Sequence, residues 1–379
     1  MDDTNQPHLK IKKEEAQSVI KYLKKTFKES SVLAKKFTVL QQQDYVLFPL
    51  NFNLPNYNGI KNRLIRDLNA EIVWIKPSEN QNYQPRSLEE VLESKLPAPL
   101  MELIPKSYDI IGNIAIVELN QFDGIKNQEK IKKGIAKAII TVNHNIKTIY
   151  EKGSEIEGKY RLRELTFLAG EKNSITIHKE NNCKFKLDIR KTFFSPRLNY
   201  ERQRISNADF KQAESIVDMF AGVGPFSIQI ARKNDVKIYA FDINKNAIKY
   251  LKENISLNKL EGSINPINKN VKTLINQTNN LGKGLKNKID RILMNLPQTS
   301  LNYIDVVSHL AKWEGCILHN YQFSTKPNPV QKSIHKLEKR LKGFEFKLEN
   351  VMNARIVKSY SPKEDMVGID ALIKRLNSD

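Results

Sequence analysis

The 379-residue chain carries 62 lysines and arginines against 42 acids, a formal net charge of +20, on a composition 40% hydrophobic and 27% charged. That balance excludes a disordered chain, its length exceeds what one small core usually supports, and its charge points to a polyanion, nucleic acid first, as partner. Cys183 and Cys316 are the only cysteines, which excludes a disulfide framework and a tetrahedral zinc site, so no metal is expected.

No apolar run approaches the roughly 20 residues of a membrane span, so no membrane partner is expected. The chain opens acidic, Met1-Asp2-Asp3, where signal and transit peptides open basic, so cytoplasm and nucleus are the expected compartments.

Taken in chain order, Ile11 to about Lys36 reads as a basic amphipathic helix. Tyr45 to Leu50, Ile72 to Ile75 and Ile110 to Glu118 read as strands, separated by the Pro-rich stretches Pro77 to Pro85 and Pro97 to Pro105. These predict a small α+β domain over 1–125. Gly134 to Ile149 then reads as a helix, and Leu165 to Leu168, Ser174 to His178 and Lys184 to Asp188 as strands. Asn181-Asn182 supplies a hairpin turn between the last two. A middle module is therefore expected over 126–204.

From Ile216 onward strands alternate with helical segments, the pattern of a parallel doubly wound α/β sheet, expected to fill a third domain over 205–379. Its strands begin at Ile216, Lys237, Ile264, Arg291 and Gly315 and finish with a pair near Ile356 and Val367. Between them the pattern predicts helices over 227–232, 246–258, 301–312 and 330–341. Asn276 to Lys288, polar, basic and Gly-containing, reads as an exposed loop.

In Asp218-Met-Phe-Ala-Gly222-Val-Gly224-Pro-Phe226 a hydrophobic strand runs into a Gly-rich turn that opens a helix, the place where such sheets bind nucleotide-like ligands. A nicotinamide fingerprint would want a third glycine where Ser227 stands, and Pro225 intrudes, so hydride chemistry is the weaker reading. Asp242 ends the next strand eighteen residues beyond Gly224, where a carboxylate can accept both hydroxyls of an adenosine ribose; as a bland alternative it caps the helix that follows. Asn270 follows the third strand, where its carboxamide oxygen can accept from an adenine amine. Asn295, in Met294-Asn-Leu-Pro297, sits at the carboxyl end of the fourth, where ligands gather.

Five segments together, Arg163-Glu-Leu-Thr-Phe-Leu-Ala-Gly-Glu171, His178-Lys-Glu-Asn-Asn-Cys-Lys-Phe185, Phe194-Ser-Pro-Arg-Leu-Asn-Tyr-Glu-Arg202, Val217 to Phe226 and Met294 to Pro297, closely resemble the tRNA (guanine-37-N1)-methyltransferases of eukaryotes and archaea. The resemblance runs from about residue 108 to the end and includes Ser107 to Ala115. It implies a tRNA-contacting first domain, a class I methyltransferase domain that binds S-adenosylmethionine, and methyl transfer to N1 of the guanosine beside the anticodon. It implies a monomer, and adds the mitochondrial matrix as a compartment.

By position in the motifs, the resemblance places Arg202, Asp242, Ile243, Asn270, Val271 and Asn295 at the cofactor, with Phe220, Gly222 and Gly224 around it. It makes Glu201 the general base and Arg161 its partner, while Asn295 acts in the transfer, and Arg197 and Pro297 position the substrate. The chemistry asks for such a pair, because guanine N1 carries a proton at neutral pH and charge develops on O6 as it leaves. Without the resemblance, Glu201 reads as a surface acid four residues after Arg197 on a helix; His178 and Lys179, on a strand of the middle module, read as structural despite the motif.

Three positions depart from the family pattern: Asn182 for a glycine, Lys245 for a proline and Asn270 for an aspartate. A neighbouring activity, aminocarboxypropyl transfer in the wybutosine pathway, keeps the same fold and cofactor, and a tRNA-binding factor without catalysis is a further alternative.

Overall fold

The computed structural model describes residues 5–27, 32–52, 54, 56–93, 95–154 and 158–376. It divides into two compact units, one of residues 1–104 with 141–143, the other of 105–140 with 144–379.

In the first unit an antiparallel sheet runs in the order β2 (Leu40–Gln42), β3 (Tyr45–Pro49), β1 (Gln6–Lys12), β4 (Glu71–Ile75). The helices Ala16–Phe27 and Tyr57–Leu68 bury Val19, Leu23 and Leu64 in one core with Leu9, Ile11, Val46 and Phe48 of the sheet. The expected helix from Ile11 is corrected at its start. Gln6 to Lys12 is the central strand, because pairing on both edges lets Leu9 and Ile11 bury their side chains, and the helix begins only at Ala16. The far end of that expected helix, 28–31, lies outside the described residues.

The second unit opens with a mixed sheet in the order β5 (Asp109–Ile111), β6 (Ile114–Val117), β7 (Thr148–Lys152), β8 (Leu165–Gly170). The single strand expected from Ile110 to Glu118 is a hairpin instead. Gly112 turns it at φ +58°, and a Cβ there would stand 2.1 Å from Thr176 Oγ1. β6 and β7 run parallel, joined through the helix Gln128–Val142, whose tail beyond Val142 gives way to a strand that helical periodicity had absorbed. The next hairpin, β9 (Ile175–Glu180) with β10 (Cys183–Asp188), turns at Asn181 and Asn182, both at positive φ, so asparagine serves where glycine is usual.

The large sheet runs in the order β13 (Ser263–Ile267), β12 (Val236–Phe241), β11 (Glu214–Asp218), β14 (Arg291–Met294), β15 (Cys316–Thr325), β17 (Glu364–Arg375), β16 (Phe346–Ser359). Its first five strands pair parallel and the last two antiparallel. This is the class I methyltransferase order, and strand order reverses beside β11. The expected loop at 276–288 contains a short helix, Asn280–Leu285, because Asn279 caps it and Leu285 packs into the core beside Ile289.

The three expected domains do not match the two units. β5 and β6, assigned to the first domain, hydrogen-bond into the sheet of the second unit. The middle module shares a core with the large sheet, since Ile111, Tyr150, Phe185 and Leu187 cluster with Phe226, Leu251 and Tyr321. Asn254, on the helix Lys245–Ser256, fastens the two together by exchanging hydrogen bonds with Lys186 of β10 while donating to the Val223 carbonyl of the Gly-rich turn.

Gly224 sits at φ +87°, and a Cβ would stand 2.2 Å from Leu251 Cδ1. Gly224→Ala is expected to destabilise the fold by about 1–3 kcal/mol, read as a lowered Tm in thermal melting.

Candidate functional site

Strand order reverses beside β11, so the loops leaving β11 and β14 diverge and open a crevice at the carboxyl ends of the parallel strands. A cavity of about 530 Å³ lies there. Of the residues singled out in the sequence, it brings together Arg161, Arg202, Phe220, Gly222, Asp242, Ile243, Asn270, Val271, Asn295 and Pro297. Glu201, Arg197 and Gly224 do not line it.

The wall is built by backbone geometry. Asp242 leaves β12 with Oδ2 accepting from the Gly222 N–H at 2.8 Å and Oδ1 accepting from the Asn244 N–H at 2.7 Å, so one carboxylate ties the Gly-rich turn to the next helix. Burial pushes its pKa up, against the pull of those two N–H donors. Asn270 accepts from the Lys272 N–H at 3.0 Å and caps the turn Val271–Ile275, which directs its side chain to the local backbone. Phe220 meets Tyr303 edge-on at 4.9 Å, giving the cavity an aromatic wall whose second member the sequence reading missed. Gln298, Lys358 and Tyr360 were missed as well. Gln298 directly follows the Asn295–Pro297 turn, whereas Lys358 and Tyr360 carry no local motif and reach this wall from the end of β16 and the turn after it.

Arg161 is a half-buried residue at φ +55°, its guanidinium 5.4 Å from the Phe193 ring and donating to Gln298 Oε1 at 3.1 Å. Arg202 reaches the wall with its charge already spent. It makes a two-pronged pair with Glu180 at 2.5 and 2.6 Å and donates to the Ser195 carbonyl. His178 faces Glu180 across 3.4 Å and accepts from the Gly112 N–H, a structural use of that side chain.

Two expectations for the helix Asn199–Ser206 are corrected here. Glu201 is 2% exposed rather than a surface acid, and it does not pair with Arg197. Its Oε1 accepts from Tyr321 Oη at 2.9 Å and Arg204 Nη2 at 2.6 Å, and its Oε2 from Arg355. The helix turns this face toward the large sheet, so Glu201 meets the strands there. Arg197 points the other way, to Asp109 at 2.7 Å.

Arg204 continues the chain of charges inward, pairing also with Asp370 at 2.6 Å. Asp370 faces His319 Nδ1 at 2.6 Å, and His319 Nε2 lies 3.0 Å from Arg291, which pairs with Glu214. Burial keeps His319 below its usual pKa, while the His319 and Arg204 partners hold the Asp370 carboxyl down at about 2 despite its burial.

The fold and the site can be set beside known proteins. Residues 176–349 match the model of the TRM5/TYW2 methyltransferase domain, and 88–173 that of the TYW2 N-terminal domain. A tRNA (guanine(37)-N(1))-methyltransferase, Trm5b of Pyrococcus abyssi, is 35% identical over 90% of this chain and 92% of its own. The chain belongs to the TRM5/TYW2 methyltransferase family. Within that family, a Trm5 solved in complex with tRNALeu is 32% identical and covers 98% of this chain and 99% of its own, with a TM-score of 0.71. A TYW2 of Pyrococcus horikoshii, solved in complex with MeSAdo, is 28% identical with a TM-score of 0.61 and covers 76% of this chain and 98% of its own.

Asp218, the last residue of β11 and 2% exposed, accepts from Ser227 Oγ at 2.7 Å, and burial raises its pKa from 3.8 to about 7. The folded protein therefore holds a proton that the unfolded chain releases. Asp218 contributes its full stability below about pH 3.8 and loses it as pH rises toward about 7. Asp218→Asn is expected to flatten the fall in Tm across that window, measured by thermal melts at constant ionic strength.

Proposed function

We propose that the protein transfers a methyl group from S-adenosylmethionine to N1 of guanosine 37 in tRNA. The observation that carries this reading is the cavity at the switch point of a class I sheet, lined by Asp242, Asn270, the Asn295–Pro297 turn and Arg161. Its volume suits an adenosine-bearing ligand. Asp242 and Asn270 would hold the adenosine, and Phe220 and Tyr303 would flank it. When bound, S-adenosylmethionine supplies a methyl on a cationic sulfur.

The protein's own residues prepare the acceptor. Asn295 and Pro297 orient the guanine for an in-line approach, and Arg161, close to the same wall, stabilises the charge that builds on O6. Glu201 takes the N1 proton once its side chain turns from Arg355 into the cavity. Leu198 and Arg202, which flank Glu201 in the sequence, line the cavity it would enter. Arg197, 62% exposed at its side chain, serves the approaching RNA instead of the reacting base.

Aminocarboxypropyl transfer is the less supported reading. The guanine-methylating relatives align along nearly the whole chain, whereas the TYW2 structure covers 76% of it. A tRNA-binding factor without catalysis would have no need of the cofactor-shaped cavity.

Labelled methyl from S-adenosylmethionine should enter a transcript with guanine at position 37 and not the same transcript with adenine there. Absence of label from both, with cofactor bound, would reject methyl transfer. Glu201→Gln should lower kcat about 10²–10⁴-fold, read by single-turnover kinetics on the folded variant, with thermal melts reading the stability lost with its contacts to Arg204 and Arg355.

A further inference from the structure

Beside the cofactor cavity lies a second one of about 710 Å³, and the two share Arg161, Phe193, Phe194, Ser195, Lys358 and Tyr360. Its charge is one-sided. Six cations line it, Lys106, Lys152, Arg161, Arg163, Arg197 and Lys358, against two acids, Asp109 and Glu118. Both acids are engaged: Asp109 accepts from Arg197 at 2.7 Å, and Glu118 faces Lys152 at 3.4 Å. Six less two leaves four positive charges without a carboxylate in the cavity.

Lys358 is the member of this group most in need of an anion. A bulge in β16 between Ile356 and Lys358 shifts the pairing with β17, a device that re-aims a side chain. Burial pushes its ammonium pKa down, and Arg197, Arg161 and Arg163 push the same way against Asp109 alone. A cation held against that field is stabilised by any ligand that brings negative charge.

We propose that this second cavity is a phosphodiester-binding subsite, in which Lys358 and Arg163 hold the RNA backbone phosphate next to the target nucleotide. The inference rests on the tRNA-methyltransferase reading. A guanine placed against Asn295 in the first cavity sends its sugar-phosphate chain out over the shared rim, where Arg161 and Lys358 are the two cations common to both cavities. The phosphate contact fixes the register of the RNA, and the first cavity reads the base.

The test measures binding directly, so that it stands apart from catalysis. Fluorescence anisotropy of a labelled tRNA is followed across a salt series for the wild type, Lys358→Met, Arg163→Met and Lys358→Arg, with thermal melts to show each is folded. Each methionine variant should bind roughly tenfold more weakly, the size of one lost charge-assisted contact. Each should also lower the slope of log affinity against log salt by about one, and Lys358→Arg should restore both. Unchanged affinity and slope in folded Lys358→Met and Arg163→Met would overturn the subsite. A wild type that binds tRNA with these salt effects yet transfers no methyl would reject the proposed function and leave the subsite standing.

Discussion

Arg204 lies between two buried carboxylates, Glu201 of its own helix and Asp370 of β17, at 2.6 Å from each. Removing any one member would leave an uncompensated charge in the interior, which is far costlier than the pairs are favourable, so the arrangement stands or falls together. Through Asp370 it joins His319 and Arg291 and ends on Glu214, and so crosses β17, β15, β14 and β11. The helix that carries Leu198 and Arg202 to the cavity wall is thereby anchored to the strands whose loops form the rest of that wall.

That anchored helix stands beside two cavities that share a rim. The cofactor side is built from turns whose polar groups are satisfied locally, as Asp242 and Asn270 show, and so its shape is set before any ligand arrives. The neighbouring cavity carries more cations than acids, six against Asp109 and Glu118, and it is this excess that the proposed phosphate contact would neutralise. Glu201 stands at the junction, held by Tyr321, Arg204 and Arg355 on the sheet side of a helix whose neighbouring residues face the cavity.

Much of the fold was legible in the sequence. The Gly-rich turn from Asp218 to Phe226, the Asn181-Asn182 hairpin and the strand–helix alternation after Ile216 are signals written in local backbone chemistry. Where reading failed, pairing or packing had overridden local period. Gln6 to Lys12 became a central strand because it gained partners on both edges, and Ile110 to Val117 folded into a hairpin at Gly112. The middle module could not be told from a separate domain, because the shared core of Phe185, Leu187 and Phe226 joins residues far apart in the chain.

The sequence by itself determined the class of sheet, the place of the cofactor turn and, through its motifs, the family and the residue types its chemistry needs. Tertiary structure alone decided which charges meet. Glu201 is bound by Tyr321 and Arg355, 120 and 154 residues further along, and Lys358 joins Arg161 and Arg163 from the far end of the chain. Turn and period signals act over a few residues, whereas the partner of a buried charge is chosen by strand order, which no local pattern encodes.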